Sequence, residues 1–204
     1  MSFFNYPSKP HVRSHGPAGY ADYKAYKPWL RDEFIFRCVY CLVREIWYPN
    51  GAASFSVDHF IPQVNAPDKV CDYDNLLYAC SRCNSSKQDA DVINPCQEAM
   101  SKHLLINEDG TIRAMTPEAV DHVRILHLDD PELIEYRAHW IRTLKRLADL
   151  PDAKSKALLR YWLGFPKDLP NLTALRPPGG NTRPGGAKTC YYKQRQAGTL
   201  PEVY

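Results

Sequence analysis

The sequence predicts an α+β fold in which a small metal-stabilised core is followed by a helical extension. Two C-x-x-C pairs, CVYC at residues 38–41 and CSRC at residues 80–83, lie on either side of a longer insert. That insert contains two short runs with the character of β-strands, SFSVDHFIP and DNLLYAC. Beyond residue 116, three segments have the apolar spacing and boundary residues of helices.

The composition is typical of a globular protein. Of the 204 residues, 44% are hydrophobic and 24% are charged. No apolar run approaches the roughly 18 residues that span a bilayer, and the N-terminus lacks the pattern of a secretory signal. We therefore expect a cytoplasmic protein that does not enter a membrane. The formal net charge of +3 is too small to indicate a nucleic-acid partner by itself, and it does not exclude one.

Four of the seven cysteines have the spacing of zinc ligands. An odd number of cysteines without an export signal argues against a disulfide framework. Two C-x-x-C turns can complete the tetrahedral four-sulfur shell that zinc prefers, with no position left for water. The alternative is a redox pair or a chance pairing. We predict a structural Zn²⁺ site with the ligands Cys38, Cys41, Cys80 and Cys83. The other three are expected to be small buried hydrophobic residues: Cys71, Cys96 and Cys190.

The chain divides into four segments by composition. Residues 1–27 are rich in aromatic residues and proline, and we expect this arm to pack its rings on the body, although such rings can also stack on bases. Residues 28–96 hold the distinctive chemistry and begin with a short helix. Residues 97–170 form a β-hairpin and a helical extension. Residues 171–204 are a Pro/Gly-rich basic tail, expected to be flexible and either solvated or in contact with phosphates.

Residues 97–170 carry clear boundary signals. HLLINEDGTIRAM alternates around a turn and predicts a β-hairpin. Thr116 and Asp130 are each followed by proline, which predicts two helix starts, and a third helix is expected to end at Gly164. The second helix is expected to pack through one apolar face, formed by Ile134, Ile141, Leu144 and Ala148. The basic side chains are expected at the surface, where solvation explains them more simply than a phosphate-tracking face: Arg137, Arg142, Lys145, Arg146, Lys154, Lys156 and Arg160.

The insert between the two cysteine pairs contains a second group of polar residues. Asp58 and His59 are neighbours in a predicted strand, where successive side chains point to opposite faces. Asn75 precedes the apolar run that leads into the second cysteine pair, and Asn84 follows that pair immediately. An isolated Asp-His pair is usually structural. Its position between two cysteine pairs, with both asparagines, indicates a functional site.

The order C-x-x-C, Asp-His, Asn and C-x-x-C-Asn-x-x-Lys resembles the HNH endonuclease family over residues 37–94. The resemblance implies a ββα-metal, treble-clef-like core held by an adjacent zinc ion. The hairpin and helix that follow are similar to a bacterial subgroup of standalone HNH proteins. The resemblance also implies an activity: the hydrolysis of DNA phosphodiester bonds to 5′-phosphate and 3′-hydroxyl ends. The implied biological role is antiphage defence or restriction.

The resemblance also implies roles for individual residues. Asp58 would be a ligand of a catalytic metal, and His59 the general base that takes a proton from the attacking water. Asn75 would hydrogen-bond the backbone near His59, and Asn84 would be the second metal ligand, where many members of the family have histidine. Because Asp58 and Asn84 both offer oxygen, we expect Mg²⁺ or Mn²⁺ rather than zinc. Lys87, one turn further on, is expected either to bind a phosphate or to be solvated.

Two other interpretations remain open at this point. One is a zinc-stabilised nucleic-acid-binding module without catalysis, and the other is a scaffold that recruits a protein partner through the helices of residues 117–164. The combination of Asp58, His59 and Asn84 favours the enzyme, because a binding module does not need all three. In an enzyme the same helices could bind a partner such as a sensor ATPase, by analogy alone. The expected partners are therefore nucleic acid, DNA above RNA, and no membrane.

Overall fold

The computed structural model of the protein describes residues 3–204, so the first two residues of the predicted N-terminal arm lie outside it. Two short β-hairpins and a series of helices make up the described chain, and 3₁₀ turns lie in several of the connections. In chain order the elements are α1 Lys27–Glu33, β1 Phe55–His59, β2 Leu76–Cys80, α2 Ser81–Lys87, β3 Leu104–Ile106, β4 Ile112–Ala114, α3 Pro117–Ile125, α4 Pro131–Asp149, α5 Ala153–Leu163, α6 Pro184–Lys188 and α7 Tyr191–Gln196. The described helices include none that is both long and apolar enough to cross a bilayer.

The centre of the molecule is a β-hairpin followed directly by a helix. β1 and β2 pair in antiparallel register, from Phe55 opposite Cys80 to His59 opposite Leu76. All five residues of β2 are buried, as its continuous apolar sequence LLYAC predicts. At Cys80 the chain turns from extended backbone into α2. The predicted α+β fold with a ββα core is therefore confirmed.

The first cysteine pair is held against this hairpin by backbone hydrogen bonds. The amide of Cys38 donates to the carbonyl of Val43, and the amide of Leu42 donates to the carbonyl of Cys38, which closes the turn. The amide of Val39 donates to the carbonyl of Tyr78 on β2 at 3.1 Å. The two cysteine pairs are distant in sequence, and this contact brings them together.

The predicted β-hairpin and the three predicted helices of residues 97–170 are all present. Stacked indole rings fasten α4 to the core, with the centroids of Trp47 and Trp140 4.6 Å apart. The apolar face expected on α4 is partly correct: Ile141 and Leu144 are buried and Ile134 is half-buried. Ala148 is exposed, because the last turn of α4 extends past the core.

The expectation that Arg137 lies at the surface is wrong. Its side chain is completely buried, although the other basic residues of α4 and α5 are exposed or partly exposed. Nε donates to the carbonyl of Gly110 and Nη2 to the carbonyl of Leu128, both at 2.7 Å. Arg137 thus joins the turn of the β3–β4 hairpin to the segment that connects α3 and α4. Buried carbonyl groups need such donors, which explains an arginine inside the fold.

The two ends of the described chain lie against each other and against α1. Rings of the N-terminal arm pack on the body as expected, and Phe4 and Tyr26 are buried. The segment 171–204, expected to be a flexible tail, instead forms α6 and α7, and the amide of Tyr191 donates to Asp32 on α1. Gly186 shows why glycine is used here, since a Cβ atom at this position would collide with the carbonyl of Ser14. Gly186 therefore serves close packing rather than flexibility.

Candidate active site and metal centre

The four cysteines of the two C-x-x-C pairs meet in one buried cluster. Their sulfur atoms all lie within 4.8 Å of one another, and the sulfurs of Cys41 and Cys80 are 3.7 Å apart. A tetrahedral zinc ion with Zn–S bonds of about 2.3 Å places its sulfurs about 3.8 Å apart. The observed arrangement therefore fits a four-coordinate metal ion. Among residues 3–204, no other group of three or more Cys, His, Asp or Glu side chains converges in this way.

The remaining cysteines lie outside this cluster. Cys190 is buried, as expected of a small hydrophobic residue. Cys71 and Cys96 are only half-buried, so the expectation of burial is not met for them. Because none of the three joins the cluster, the donor set is the one that the C-x-x-C spacing predicts.

A solvent-open cleft of about 380 Å³ lies beside the end of β1. Asp58 and His59 line it from β1, Asn84 from α2, and Tyr23 from the N-terminal arm. Gln63 lines it from the loop between β1 and β2. The structure thus brings together three of the predicted site residues, Asp58, His59 and Asn84. Asn84 comes 25 residues after His59 in the sequence, and the fold of one hairpin and one helix places both in the same cleft.

His59 presents one defined nitrogen to this cleft. Its Nε2 lies 2.9 Å from the carbonyl oxygen of Val70, which can only accept, so Nε2 carries the proton. Nδ1 is then the basic nitrogen, and it lies 3.3 Å from the amide nitrogen of Gln63, a hydrogen-bond donor. The imidazole and the ring of Tyr23 pack at a steep angle of 72°, with centroids 4.6 Å apart. These contacts fix both the tautomer and the orientation of the ring.

Asn75 holds the loop between β1 and β2 at two points, one shortly after His59 and one shortly before Val70. Its Oδ1 accepts from the amide of Ile61 at 2.8 Å, and its Nδ2 donates to the carbonyls of Ile61 at 3.0 Å and Lys69 at 3.3 Å. Lys69 precedes Val70, the residue that binds the imidazole. The contact with the backbone near His59 that the resemblance implies is present.

Asp58 is buried, with its carboxylate between two donors. Oδ2 accepts from the hydroxyl of Tyr40 at 2.5 Å, and Oδ1 lies 3.5 Å from Nζ of Lys87. Burial raises the pKa of Asp58 above its ordinary value, although the Lys87 cation and the Tyr40 hydroxyl oppose that shift. Burial and the neighbouring Asp58 carboxylate also raise the pKa of Tyr40 well above its usual range, so Tyr40 stays a donor.

The expectation that Lys87 reaches toward substrate does not agree with the structure. Its side chain is 0% exposed, and Nζ donates to the carbonyl of His59 at 2.7 Å. The Asp58 carboxylate and the His59 carbonyl replace the water molecules that would otherwise solvate the ammonium group. Lys87 therefore supports the cleft from within, and a phosphate outside cannot contact it in this conformation.

Asn84 is the remaining predicted ligand. It is half-buried on α2 and lines the cleft opposite β1. Its side-chain amide makes no hydrogen bond to any residue in the range 3–204, so its oxygen is available. Together with Asp58 it supplies a pair of oxygen donors to one cleft, which suits a hard divalent cation.

Sequence reasoning missed Tyr40, Gln63 and Tyr23. Tyr40 lies between the cysteines of the first pair and Gln63 four residues after His59, but neither position carries a signal of its own. Tyr23 comes from the distant arm, and its place beside His59 depends on the whole fold.

Residues 38–90 match the model of the HNH endonuclease family. This segment is an HNH domain. It contains the cysteine cluster, both strands of the ββα hairpin, and the cleft residues Asp58, His59 and Asn84. The chain is also 29% identical over 112 residues to Septu protein PtuB of Bacillus thuringiensis. That similarity covers 52% of this chain and 42% of PtuB, so it spans less than half of the relative's length.

Proposed function

We propose that this protein is a metal-dependent endonuclease that hydrolyses DNA phosphodiester bonds. The observation that carries the proposal is the orientation of His59, whose unprotonated Nδ1 lies beside Gln63 in the cleft that Asp58 and Asn84 also line. The match of residues 38–90 to the HNH endonuclease family supports the same reaction class. A nucleic-acid-binding module without catalysis would not require this arrangement.

In this proposal, His59 is the general base. Its Nδ1 takes a proton from the attacking water, while the bond from Nε2 to Val70 holds the imidazole in position. The amide of Gln63 donates to Nδ1 in this structure, so the attacking water would take the place of that amide at Nδ1. Asn75 keeps the supporting loop in place through Ile61 and Lys69.

Asp58 and Asn84 would hold the catalytic cation, Mg²⁺ or Mn²⁺, through their oxygen atoms. When bound, such a cation polarises the scissile phosphate and neutralises charge on the leaving oxygen. The four-cysteine cluster would bind Zn²⁺ in a structural role, because four thiolates leave no coordination position for water. The two metals would therefore have separate tasks.

We further propose a cytoplasmic role in antiphage defence. The resemblance to bacterial HNH proteins implies this role, and the similarity to Septu protein PtuB supports it. A protein partner, such as a sensor ATPase, would bind the C-terminal helices, where Leu158 and Tyr161 on α5 expose apolar surface beside basic residues. An exposed apolar surface of this kind supports a partner without identifying it.

The test is a cleavage assay on plasmid, linear and single-stranded DNA and on RNA, with Mg²⁺, Mn²⁺ or EDTA. We expect cleavage of DNA by the wild-type protein with either cation, none in EDTA, and none by the His59→Ala variant. His127→Ala is the matched control, because His127 is exposed and outside the cleft. Full activity of His59→Ala would contradict the proposed base, and binding without cleavage by the wild type would favour the non-catalytic module.

A further inference from the structure

We propose that Tyr40 is a positioning residue that couples the four-cysteine cluster to the carboxylate of Asp58. The inference rests on the proposed function, in which Asp58 holds the catalytic cation. Tyr40 lies in the turn CVYC, directly before one ligand of the cluster and two residues after another. Its hydroxyl donates to Asp58 at 2.5 Å, so a metal-binding turn touches the candidate active site through one side chain.

The second cysteine pair reaches the same carboxylate from the other side. Lys87 lies four residues after Cys83, in the last turn of α2. Its Nζ is 3.5 Å from Oδ1 of Asp58, while Tyr40 occupies Oδ2. Each oxygen of the carboxylate therefore faces a group that one of the two cysteine pairs holds in place. A metal ion in the cluster would orient Asp58 through both.

A buried tyrosine hydroxyl needs a hydrogen-bond acceptor, but this need alone does not explain why Tyr40 donates to Asp58. Tyr6, which is also buried, donates to a backbone carbonyl, and buried Tyr78 donates to Glu45. Tyr40 instead donates to a carboxylate that lines the open cleft. Hydrogen bonds to an ionised acceptor are short and strong, so this one restricts the rotamer of Asp58 before any cation binds. Preorganisation of that kind lowers the cost of binding the cation.

The test is the Tyr40→Phe variant, which removes the hydroxyl and keeps the ring. Three quantities are measured: Mn²⁺ affinity from the free-Mn²⁺ signal in electron paramagnetic resonance, zinc content, and kcat and KM on DNA. Loss of an outer partner of a metal ligand typically weakens affinity or activity about 10–100-fold. We expect that loss in Mn²⁺ affinity and in kcat, with the zinc content and the KM for DNA unchanged.

Tyr78→Phe is the matched control. Tyr78 is buried, and its hydroxyl donates to Glu45 at 2.6 Å, outside the cleft. Removing it deletes a comparable tyrosine–carboxylate bond, so we expect Mn²⁺ affinity to stay at the wild-type level. An equal loss of Mn²⁺ affinity in Tyr40→Phe and Tyr78→Phe would overturn the inference, because the cause would then be a general loss of protein stability.

The Asp58→Ala variant separates this inference from the proposed function. If wild-type protein binds Mn²⁺, Asp58→Ala does not, and Tyr40→Phe binds it like the wild type, the inference fails and the proposed function stands. If Asp58→Ala binds Mn²⁺ like the wild type, the proposed metal site itself is wrong.

Lys87→Met keeps the inference testable if Tyr40→Phe loses zinc through misfolding. Its matched control is Arg137→Met, which removes another buried cation, one that does not line the cleft. We expect Lys87→Met to retain zinc and to weaken Mn²⁺ binding about 10-fold or more. Wild-type affinity in Lys87→Met, or loss of zinc in both the Tyr40 and the Lys87 variants, would overturn the coupling.

Discussion

The carbonyl oxygen of Val70 lies 2.9 Å from Nε2 of His59 and determines which imidazole nitrogen faces the cleft. A carbonyl accepts but never donates, so the proton resides on Nε2 and the lone pair on Nδ1. The position of Val70 depends in turn on Asn75, whose Nδ2 donates to the carbonyl of the preceding Lys69. A side chain outside the cleft thus controls the aim of the proposed base.

Replacing Asn75 by alanine should therefore lower kcat without removing the metal site. The variant loses the bonds to Ile61 and Lys69, so His59 is held less firmly. Misplacement of a catalytic group by about 1 Å can cost about 100-fold in rate, and we expect a decrease of that order. Mn²⁺ affinity should be unchanged, because Asn75 does not contact Asp58.

The control is Asn107→Ala, in which the lost side-chain bond to Thr111 braces the β3–β4 hairpin instead. Steady-state kinetics of both variants on plasmid DNA decide the question. A kcat for Asn75→Ala equal to that of Asn107→Ala would show that the brace does not aim His59.

The cysteine cluster should carry about one zinc ion per chain, and its loss should unfold the core. Cys83→Ser removes one of four converging thiolates, and structural zinc sites contribute directly to folding. We expect zinc-deficient protein with a strongly lowered Tm, measured by elemental analysis and thermal denaturation. Cys190→Ser, also buried but outside the cluster, should keep its zinc. Wild-type protein purified without any zinc would contradict the assignment.

Local signals in the sequence were sufficient for the ββα core and the helix starts. A C-x-x-C turn constrains its own backbone, and proline after Asp130 specifies the first turn of α4, so these features depend on neighbours in the chain. The positions of Asp58, His59 and Asn84 in one cleft followed from the family resemblance, and the fold agrees with it.

Burial of charge could not be predicted in the same way. Lys87 and Arg137 both lie on helices, where basic side chains are normally solvated. Their burial depends on carbonyl and carboxylate groups that distant segments bring to them. The packing of residues 171–204 was missed for a related reason, because glycine and proline are typical both of flexible tails and of closely packed turns.

Substitution of Asn84 should distinguish an oxygen ligand from a merely polar residue. Asn84→Asp keeps an oxygen at the same position and adds charge, so we expect Mn²⁺ binding and much of the activity to remain. Asn84→Leu offers no donor atom to the cleft, and it should lose both. Mn²⁺ titration of the two variants is the measurement, and an active Asn84→Leu protein would exclude Asn84 as a ligand.

The folded protein should lose stability as the pH falls from about 6.5 to about 4, through His122. Burial, with a smaller effect of nearby His103, lowers the pKa of His122 from 6.5 to about 4. Its Nδ1 accepts from the amide of Ile93 at 3.1 Å, a bond that protonation of this nitrogen would break. Between these pH values the unfolded chain binds a proton that the folded chain excludes, so stability rises with pH. The stability that depends on neutral His122 is therefore fully present above pH 6.5 and is lost as the pH falls to about 4.

A shift of this size corresponds to about 3 kcal/mol in the free energy of unfolding. His122→Gln has no imidazole to protonate, so its unfolding free energy should fall by about 3 kcal/mol less than that of the wild type over the same pH range. Urea denaturation at pH 7.5, 6.5, 5.5 and about 4 measures both curves, and the comparison cancels the other groups that titrate there. Parallel curves for the two proteins would show that His122 is not the group responsible.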